Sequence, residues 1–180
     1  MDSLNLVDRL MEAGVRNAES YRRKLSDNSG EPTVLRDLAS EGVAALMFSM
    51  AGFVVEMGES PDLMLTGFGQ SLSAEVKHFR YKPQDAVDDV KLREYNDYLI
   101  AFGNTVPSEG TAAWKQVADV AQRKARQYRA GTPNLLVLES SSPHCVDDGV
   151  VRTAVNILDE ETVVGTNHHL SRLNGIVFLS

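Results

Sequence analysis

The stretch that decides the fold runs from residue 61 to residue 77 and reads PDLMLTGFGQSLSAEVK. Two short segments, residues 62–66 and 72–79, flank a turn that contains Gly67 and Gly69, a pattern that predicts an antiparallel hairpin. Side chains alternate along a strand, so Glu75 and Lys77 point to the same face of the second segment. The hairpin therefore presents a carboxylate and an amine side by side.

Two further acids are expected close to this pair. Asp62 opens the first strand of the hairpin, which brings its carboxylate beside Glu75 without any assumption about the rest of the fold. Glu41 lies on a helix predicted over residues 34–51, where apolar residues recur at helical spacing and small residues leave room around the acid. Carboxylates in such a group are the ligands that Mg²⁺ or Mn²⁺ prefers, and the lysine can assist a metal-activated water.

The spacing of these residues is similar to that of a known family. Pro61 and Asp62, then twelve residues, then Glu75, Val76 and Lys77 resemble the signature of the PD-(D/E)XK nucleases, the restriction-endonuclease-like superfamily. The predicted elements also follow the αβββαβ order of that family's core: helix 34–51, strands 53–57, 62–66 and 72–79, helix 112–129 and strand 135–139. The resemblance covers roughly residues 33–140 and implies an α/β fold whose central mixed sheet is flanked by helices.

The resemblance also implies a role for each residue of the motif. Asp62 and Glu75 match the metal ligands of the family, the carbonyl group of Val76 its backbone ligand, and Lys77 its catalytic lysine. Glu41 matches the acid that is often present on the first helix. The implied protein is a nuclease that hydrolyses phosphodiester bonds in DNA with Mg²⁺ or Mn²⁺.

The helix predicted over residues 112–129 offers one more site candidate. Many members of the family carry a Gln or a Lys on this helix near the site, and Gln122 is the candidate here because it lies on a flank of the helix that also carries basic residues. Those basic residues face phosphate or simply solvent, and the sequence leaves the two alternatives open.

The remaining segments complete the expected organisation. An N-terminal extension is expected over residues 1–32, with one helix over residues 4–24 followed by a linker. The nuclease-like domain is expected over residues 33–180. Residues 80–111 are a long insertion with a helix over residues 84–102. A helix over residues 150–158 and a final strand over residues 175–179 close the domain.

Composition narrows the class of protein. A chain of 180 residues with 43% hydrophobic residues can form a packed core. The single cysteine, Cys145, excludes an internal disulfide and a multi-cysteine metal site and favours a reducing, cytoplasmic location. No apolar run reaches the length that spans a membrane. A net charge of −7 argues against a protein that coats nucleic acid non-specifically, although an enzyme that binds locally is compatible with it.

Two alternatives stay open at this stage. An isolated Glu-x-Lys on a strand is more often a surface ion pair than a site, so the domain could be a non-catalytic module of the same fold that serves binding or assembly. The chain could also be a nuclease domain whose specificity comes from a partner domain or from a homo-oligomer. Sequence specificity and the choice between endonuclease and exonuclease action depend on features that a short motif does not encode.

Overall fold

A five-stranded mixed sheet forms the centre of the computed structural model, which describes residues 3–79, 113–140, 148–164 and 169–179. The elements follow the chain as α1 (Ser3–Glu12), α2 (Ala18–Asp27), α3 (Pro32–Met50), β1 (Val54–Met57), β2 (Leu63–Gly67), β3 (Gln70–Phe79), α4 (Ala113–Lys124), β4 (Asn134–Ser140), α5 (Asp148–Val164) and β5 (Leu173–Leu179). Two short 3₁₀ turns, Ala125–Gln127 and Leu170–Arg172, follow α4 and precede β5. The predicted α/β class with a mixed sheet flanked by helices is confirmed.

The strands lie in sequence order across the sheet. The first three form an antiparallel meander, and β4 and β5 join it in parallel. The β2–β3 turn has two central residues, Phe68 and Gly69, with φ values of 53° and 76°. Positive φ at both positions is the geometry of a type I′ turn, whose twist matches that of the flanking strands. The turn thereby sets the register that the rest of the site depends on.

Helix α3 ends with a well-defined cap before the sheet begins. The N–H of Gly52 donates to the carbonyl of Ser49, and the N–H of Phe53 donates to the carbonyl of Phe48. Gly52 has a φ of 93°, and the rings of Phe48 and Phe53 pack edge to face with centroids 5.9 Å apart. These features form a Schellman motif, which directs the chain from the helix into β1.

Helices cover the two faces of the sheet as separate layers. Residues that alternate along the strands divide between two apolar clusters, as the period of a strand requires. Ala74, Val76 and Val137 pack in the cluster that contains α1, α2 and α3. Leu136 and Leu138 pack in the cluster that contains α4 and α5. The strand that carries Glu75 and Lys77 therefore has an apolar helical layer on each of its two faces.

The prediction of a single helix over residues 4–24 is wrong. The chain breaks between α1 and α2, where Gly14 and Asn17 adopt positive φ values of 71° and 64°. The break lets Arg16 pair with the edge of β1: its N–H donates to the carbonyl of Val55, and its carbonyl accepts from the N–H of Met57. Backbone pairing with the sheet edge thus outweighs the continuity of the helix.

The N-terminal helices belong to the same core as α3. Their apolar residues pack with it, and the Tyr21 hydroxyl donates to the carbonyl of Leu38 over 2.6 Å. A Cβ atom at Gly42 would lie 2.6 Å from that hydroxyl oxygen and 2.7 Å from the side chain of Leu6, so only glycine allows this close approach. The turn between α2 and α3 spans residues 28–31.

The bounds of the other elements differ little from the expectations, apart from two helices. The predicted helix over residues 112–129 ends as a regular α-helix at Lys124, and the last helix extends over Asp148–Val164 instead of residues 150–158. The insertion at residues 80–111, with its predicted helix, lies outside the described residues. Among the described helices, none has the length and apolar character needed to cross a bilayer.

Candidate active site

The candidate site lies where β2 stops and β3 continues. The last residue pair between these strands is Leu63 with Ala74, and from Glu75 onward β3 keeps β4 as its strand neighbour on one side only among the described residues. Asp62, directly before β2, occupies the side that β2 has left. Its Oδ2 accepts the N–H of Val76 over 2.7 Å. A carboxylate therefore takes the place of a strand at this edge.

The carbonyl group of Val76 faces the same edge as the carboxylate of Asp62. In an extended strand the N–H and C=O groups of one residue point to the same side, and the N–H of Val76 points to Asp62. The Val76 carbonyl, which is the expected backbone ligand, thus lies on the side of β3 that carries Asp62, Glu75 and Glu41. These three acids are called the acidic cluster below.

Lys124, the last residue of α4, joins the two motif acids. Its Nζ lies 2.8 Å from Oε2 of Glu75 and 3.6 Å from Oδ2 of Asp62. The charges of Asp62 and the hydrogen bond to Glu75 outweigh the effect of burial, which alone would lower the pKa of Lys124, so this pKa lies above its ordinary value. Lys124 is thus a stable ammonium between two carboxylates.

Glu75 is the most deeply buried acid of the cluster. Its side chain is 3% exposed, and Oε1 is buried without a hydrogen-bond partner among the described residues. Burial raises the pKa of Glu75, and the nearby charge of Asp62 raises it further, against the opposing effect of Lys124. One lysine therefore does not fully compensate the acids, and an oxygen atom that could bind a cation remains.

Glu41 approaches the cluster from α3. Its side chain is 13% exposed, and its carboxylate lies 3.7 Å from Nζ of Lys24, which also lies 3.3 Å from Glu59. Burial raises the pKa of Glu41 to about 7, with a further contribution from the charge of Asp62. The structure thus places Glu41 within the electrostatic field of Asp62, and its predicted role as a metal ligand stays a prediction.

Lys77 has a different partner from the one that the sequence suggests. Its ammonium group forms an ion pair with Asp37, which lies one turn before Glu41 on α3. Lys124 and not Lys77 contacts Asp62 and Glu75 in this arrangement. The reason is local: Glu75 and Lys77 share a strand face, but β3 has no β2 neighbour at this point, so the lysine can reach around the edge toward α3.

Gln122 lies on α4, is partly buried and precedes Lys124 by two residues. Two residues correspond to about 200° around a helix, so the side chains of Gln122 and Lys124 point in nearly opposite directions. Gln122 thus points away from the two acids that Lys124 contacts. The sequence analysis chose Gln122 on this helix and missed Lys124. A signal for it was present, because Val117, Ala121, Lys124 and Tyr128 follow one stripe at helical spacing, and a lysine within an apolar stripe calls for a buried partner.

A cleft of about 330 Å³ opens beside Glu41. Residues of α2 and α3, the end of β1 and the segment after it line the cleft, among them Ser20, Lys24, Glu41 and Met57. The cleft gives solvent a route to the Glu41 side of the acidic cluster.

A second polar group lies beside the site on the α3 side of the sheet. Oε2 of Glu139 on β4 lies 2.6 Å from Nδ1 of His78 and accepts the Ser40 hydroxyl over 2.8 Å. Its members satisfy one another and tie the ends of β3 and β4 to α3. We interpret this group as structural support for the strand that carries Glu75 and Lys77.

The metal that the sequence implies, Mg²⁺ or Mn²⁺, needs several oxygen ligands around one point. Asp62 and Glu75 contact one cation in common, the ammonium of Lys124, and the unpartnered Oε1 of Glu75 together with the Val76 carbonyl adds oxygen donors at the same edge. These oxygen donors suit Mg²⁺ or Mn²⁺, which also retains water ligands. Within the described residues, no three His, Cys, Asp or Glu side chains stand close enough to hold one ion as they are now placed. Asp62 and Glu75 fit as direct ligands, and Glu41 fits as an acid at longer range.

Comparison of the chain with models of known protein families, with curated proteins and with solved structures gives no significant match.

Proposed function

We propose that this protein is a divalent-metal-dependent nuclease of the restriction-endonuclease-like fold that hydrolyses phosphodiester bonds in DNA. The observation that carries the proposal is that Asp62, directly before β2, and Glu75, on β3, share one positive partner, the ammonium of Lys124, at the edge where β2 ends. Two carboxylates that already hold a positive charge at a partly open sheet edge are suited to a hard metal ion and to the phosphate groups that such an ion attracts.

The residues of the site would have separate roles in metal binding and in catalysis. Asp62, Glu75 and the Val76 carbonyl would hold Mg²⁺ or Mn²⁺, with Glu41 adding negative charge behind them. The bound ion would lower the pKa of a water ligand and offset charge on the phosphate. An ammonium group at the site stabilises the negative charge that develops as the water oxygen attacks phosphorus and the bond to the leaving oxygen breaks. Lys124 and Lys77 are the two candidates for that role.

The order of elements supports the fold assignment within this proposal. Helix α3, strands β1 to β3, helix α4 and strand β4 follow the αβββαβ order of that superfamily, with Asp62 directly before β2, Glu75 and Lys77 on β3 and Glu41 on α3. The choice of DNA as the proposed substrate comes from the sequence resemblance.

The test is cleavage of labelled single-stranded and double-stranded DNA with Mg²⁺ or Mn²⁺, and with EDTA as the metal-free control. We expect the wild type to cleave, and Asp62→Ala and Glu75→Gln to lose the activity because the metal ligands are gone. Asp119→Asn is the matched control, since it removes one negative charge from an exposed position on α4. Cleavage that survives both Asp62→Ala and Lys77→Ala would mean that the reaction occurs elsewhere.

One observation favours a second candidate, a non-catalytic module that binds nucleic acid or another protein. Lys77, the lysine of the motif, is paired with Asp37 and not with the motif acids. Fluorescence polarisation with labelled DNA separates the two candidates, because the module binds without cleaving in the presence of Mg²⁺. Light scattering on the same sample tests whether a homo-oligomer forms.

A further inference from the structure

The acidic cluster carries more negative charge than one lysine compensates. Asp62 and Glu75 both interact with Lys124, and Glu41 adds a third carboxyl group whose nearest lysine, Lys24, is shared with Glu59. A buried carboxylate needs a positive partner or hydrogen bonds, because removing it from water without them is costly. Lys124 supplies that partner for the two motif acids.

Lys124 is the last residue of α4, and its amine reaches the two acids from that helix. Ala121, one turn before it, and Tyr128, beyond the end of the helix, are both buried in the apolar cluster that contains α4 and α5. The side chain of Lys124 is 21% exposed, so the amine can leave the acidic cluster without crossing the core. The lysine side chain has a flexible four-carbon stem that allows such a movement.

The ammonium group satisfies the cluster only in part. It bonds Oε2 of Glu75 closely and Oδ2 of Asp62 at a longer distance, while Oε1 of Glu75 stays buried without a hydrogen bond from any described residue. A divalent cation carries twice the charge and accepts about six oxygen ligands, so it can bind both carboxylates at once. The same oxygen atoms cannot bind Lys124 and the metal ion closely at the same time.

We infer that Lys124 is an internal counterion that a divalent cation displaces from Asp62 and Glu75. The inference rests on the proposed function, because it concerns the metal that the nuclease would use. Its consequence is that Lys124 weakens metal binding while it stabilises the metal-free protein, so one residue sets both properties.

The direct test is titration calorimetry with MnCl₂ and no nucleic acid, on the wild type, Lys124→Met and Lys124→Arg. Removing the competing charge in Lys124→Met is expected to tighten Mn²⁺ binding by about tenfold or more. Lys124→Arg keeps a charge that pairs bidentately with carboxylates and is expected to weaken binding by a few-fold. Lys115→Met, a lysine removed from the same helix, is the matched control and is expected to bind as the wild type does.

Thermal unfolding provides a second readout that keeps the test valid if Lys124→Met folds poorly. In EDTA this variant is expected to melt below the wild type, because its two acids lack their counterion. Addition of Mn²⁺ is expected to raise its melting temperature by more than it raises that of the wild type. Equal or weaker Mn²⁺ binding by Lys124→Met, or tighter binding by Lys124→Arg, would overturn the inference.

The two proposals can fail separately. If the wild type binds Mn²⁺ and cleaves DNA but Lys124→Met binds Mn²⁺ no more tightly, the counterion inference is wrong and the nuclease proposal stands. If neither the wild type nor Lys124→Met binds Mn²⁺ at millimolar concentration, both the metal site and the inference are wrong.

Discussion

The two halves of strand β3 differ in how their edges are satisfied. Residues 70–74 pair with β2 on one side, and the same strand continues beyond Ala74 with Asp62 in place of that neighbour. The first half contributes apolar packing to the sheet, and the second half carries Glu75 and Lys77. The difference shows that polar side chains collect where the neighbouring strand ends. Backbone N–H groups that a strand neighbour would otherwise bind, such as that of Val76, must there bind a side chain.

The comparison is tested first in the paired half. Leu65 on β2 is fully buried between Val55 and Leu72, so Leu65→Ala removes apolar contacts and leaves a cavity. We expect the free energy of unfolding to fall by about 2–5 kcal/mol. Urea denaturation measures it, and Met64→Ala on the same strand is the control for a residue that is only partly buried. A loss under 1 kcal/mol would show that the paired half does not anchor the sheet.

The pH dependence of stability at Glu41 reports on the charge near the open half of β3, which is the part beyond Ala74 that lacks β2 as a neighbour. Its folded pKa of about 7 lies above its ordinary value of 4.5, so its contribution to stability is complete below pH 4.5 and is lost as the pH rises through 7. Glu41→Gln stays neutral, so in EDTA we expect its stability relative to the wild type to rise by about 2–3 kcal/mol between pH 4.5 and pH 8.

Urea denaturation at the two pH values measures the Glu41 effect. Glu59→Gln is the control, since Glu59 is 85% exposed and removing its charge should change stability by about 0.5 kcal/mol or less. A relative stability of Glu41→Gln that does not change with pH would contradict the electrostatic description of the cluster.

Asp62 separates the hydrogen bond at the open edge from the charge. Asp62→Ala leaves the buried N–H of Val76 without an acceptor, which we expect to lower the free energy of unfolding by about 1–3 kcal/mol. Asp62→Asn keeps an acceptor oxygen and should recover most of that stability. If both variants unfold at the same urea concentration, the hydrogen bond is not what replaces β2 at this edge.

Lys77 should give the smallest effect. Lys77 and Asp37 have side chains that are 31% and 24% exposed, and pairs of this kind contribute about 1 kcal/mol or less. We expect Lys77→Met to unfold within about 1 kcal/mol of the wild type. A much larger loss would mean that the pair is a structural anchor of the open half, as Leu65 is of the paired half.

Local patterns predicted much of the fold. Alternation along residues 72–79 and the Gly-Phe-Gly turn indicated the β2–β3 hairpin, and that hairpin alone is enough to bring Asp62 beside Glu75. The break after α1 could not be predicted in the same way, because the Arg16 pairing that favours it involves residues about forty positions further along the chain. The single predicted helix was therefore wrong for a reason that lies in long-range contacts.

The lysines show where sequence reasoning about the site ends. Proximity along β3 suggested Lys77 as the partner of the motif acids, yet the amine that contacts them comes from α4, nearly fifty residues later. A stripe of apolar residues with one lysine in it indicates that the lysine is buried, but it does not name the partner.

The sequence by itself thus determined that Asp62 and Glu75 lie side by side, because they are joined by a short hairpin whose geometry depends on local residues. Only the tertiary structure decided which amine contacts these two acids and that Lys77 pairs with Asp37 instead. Those choices depend on how α3 and α4 pack on opposite faces of the sheet, and packing brings together residues that no local pattern links.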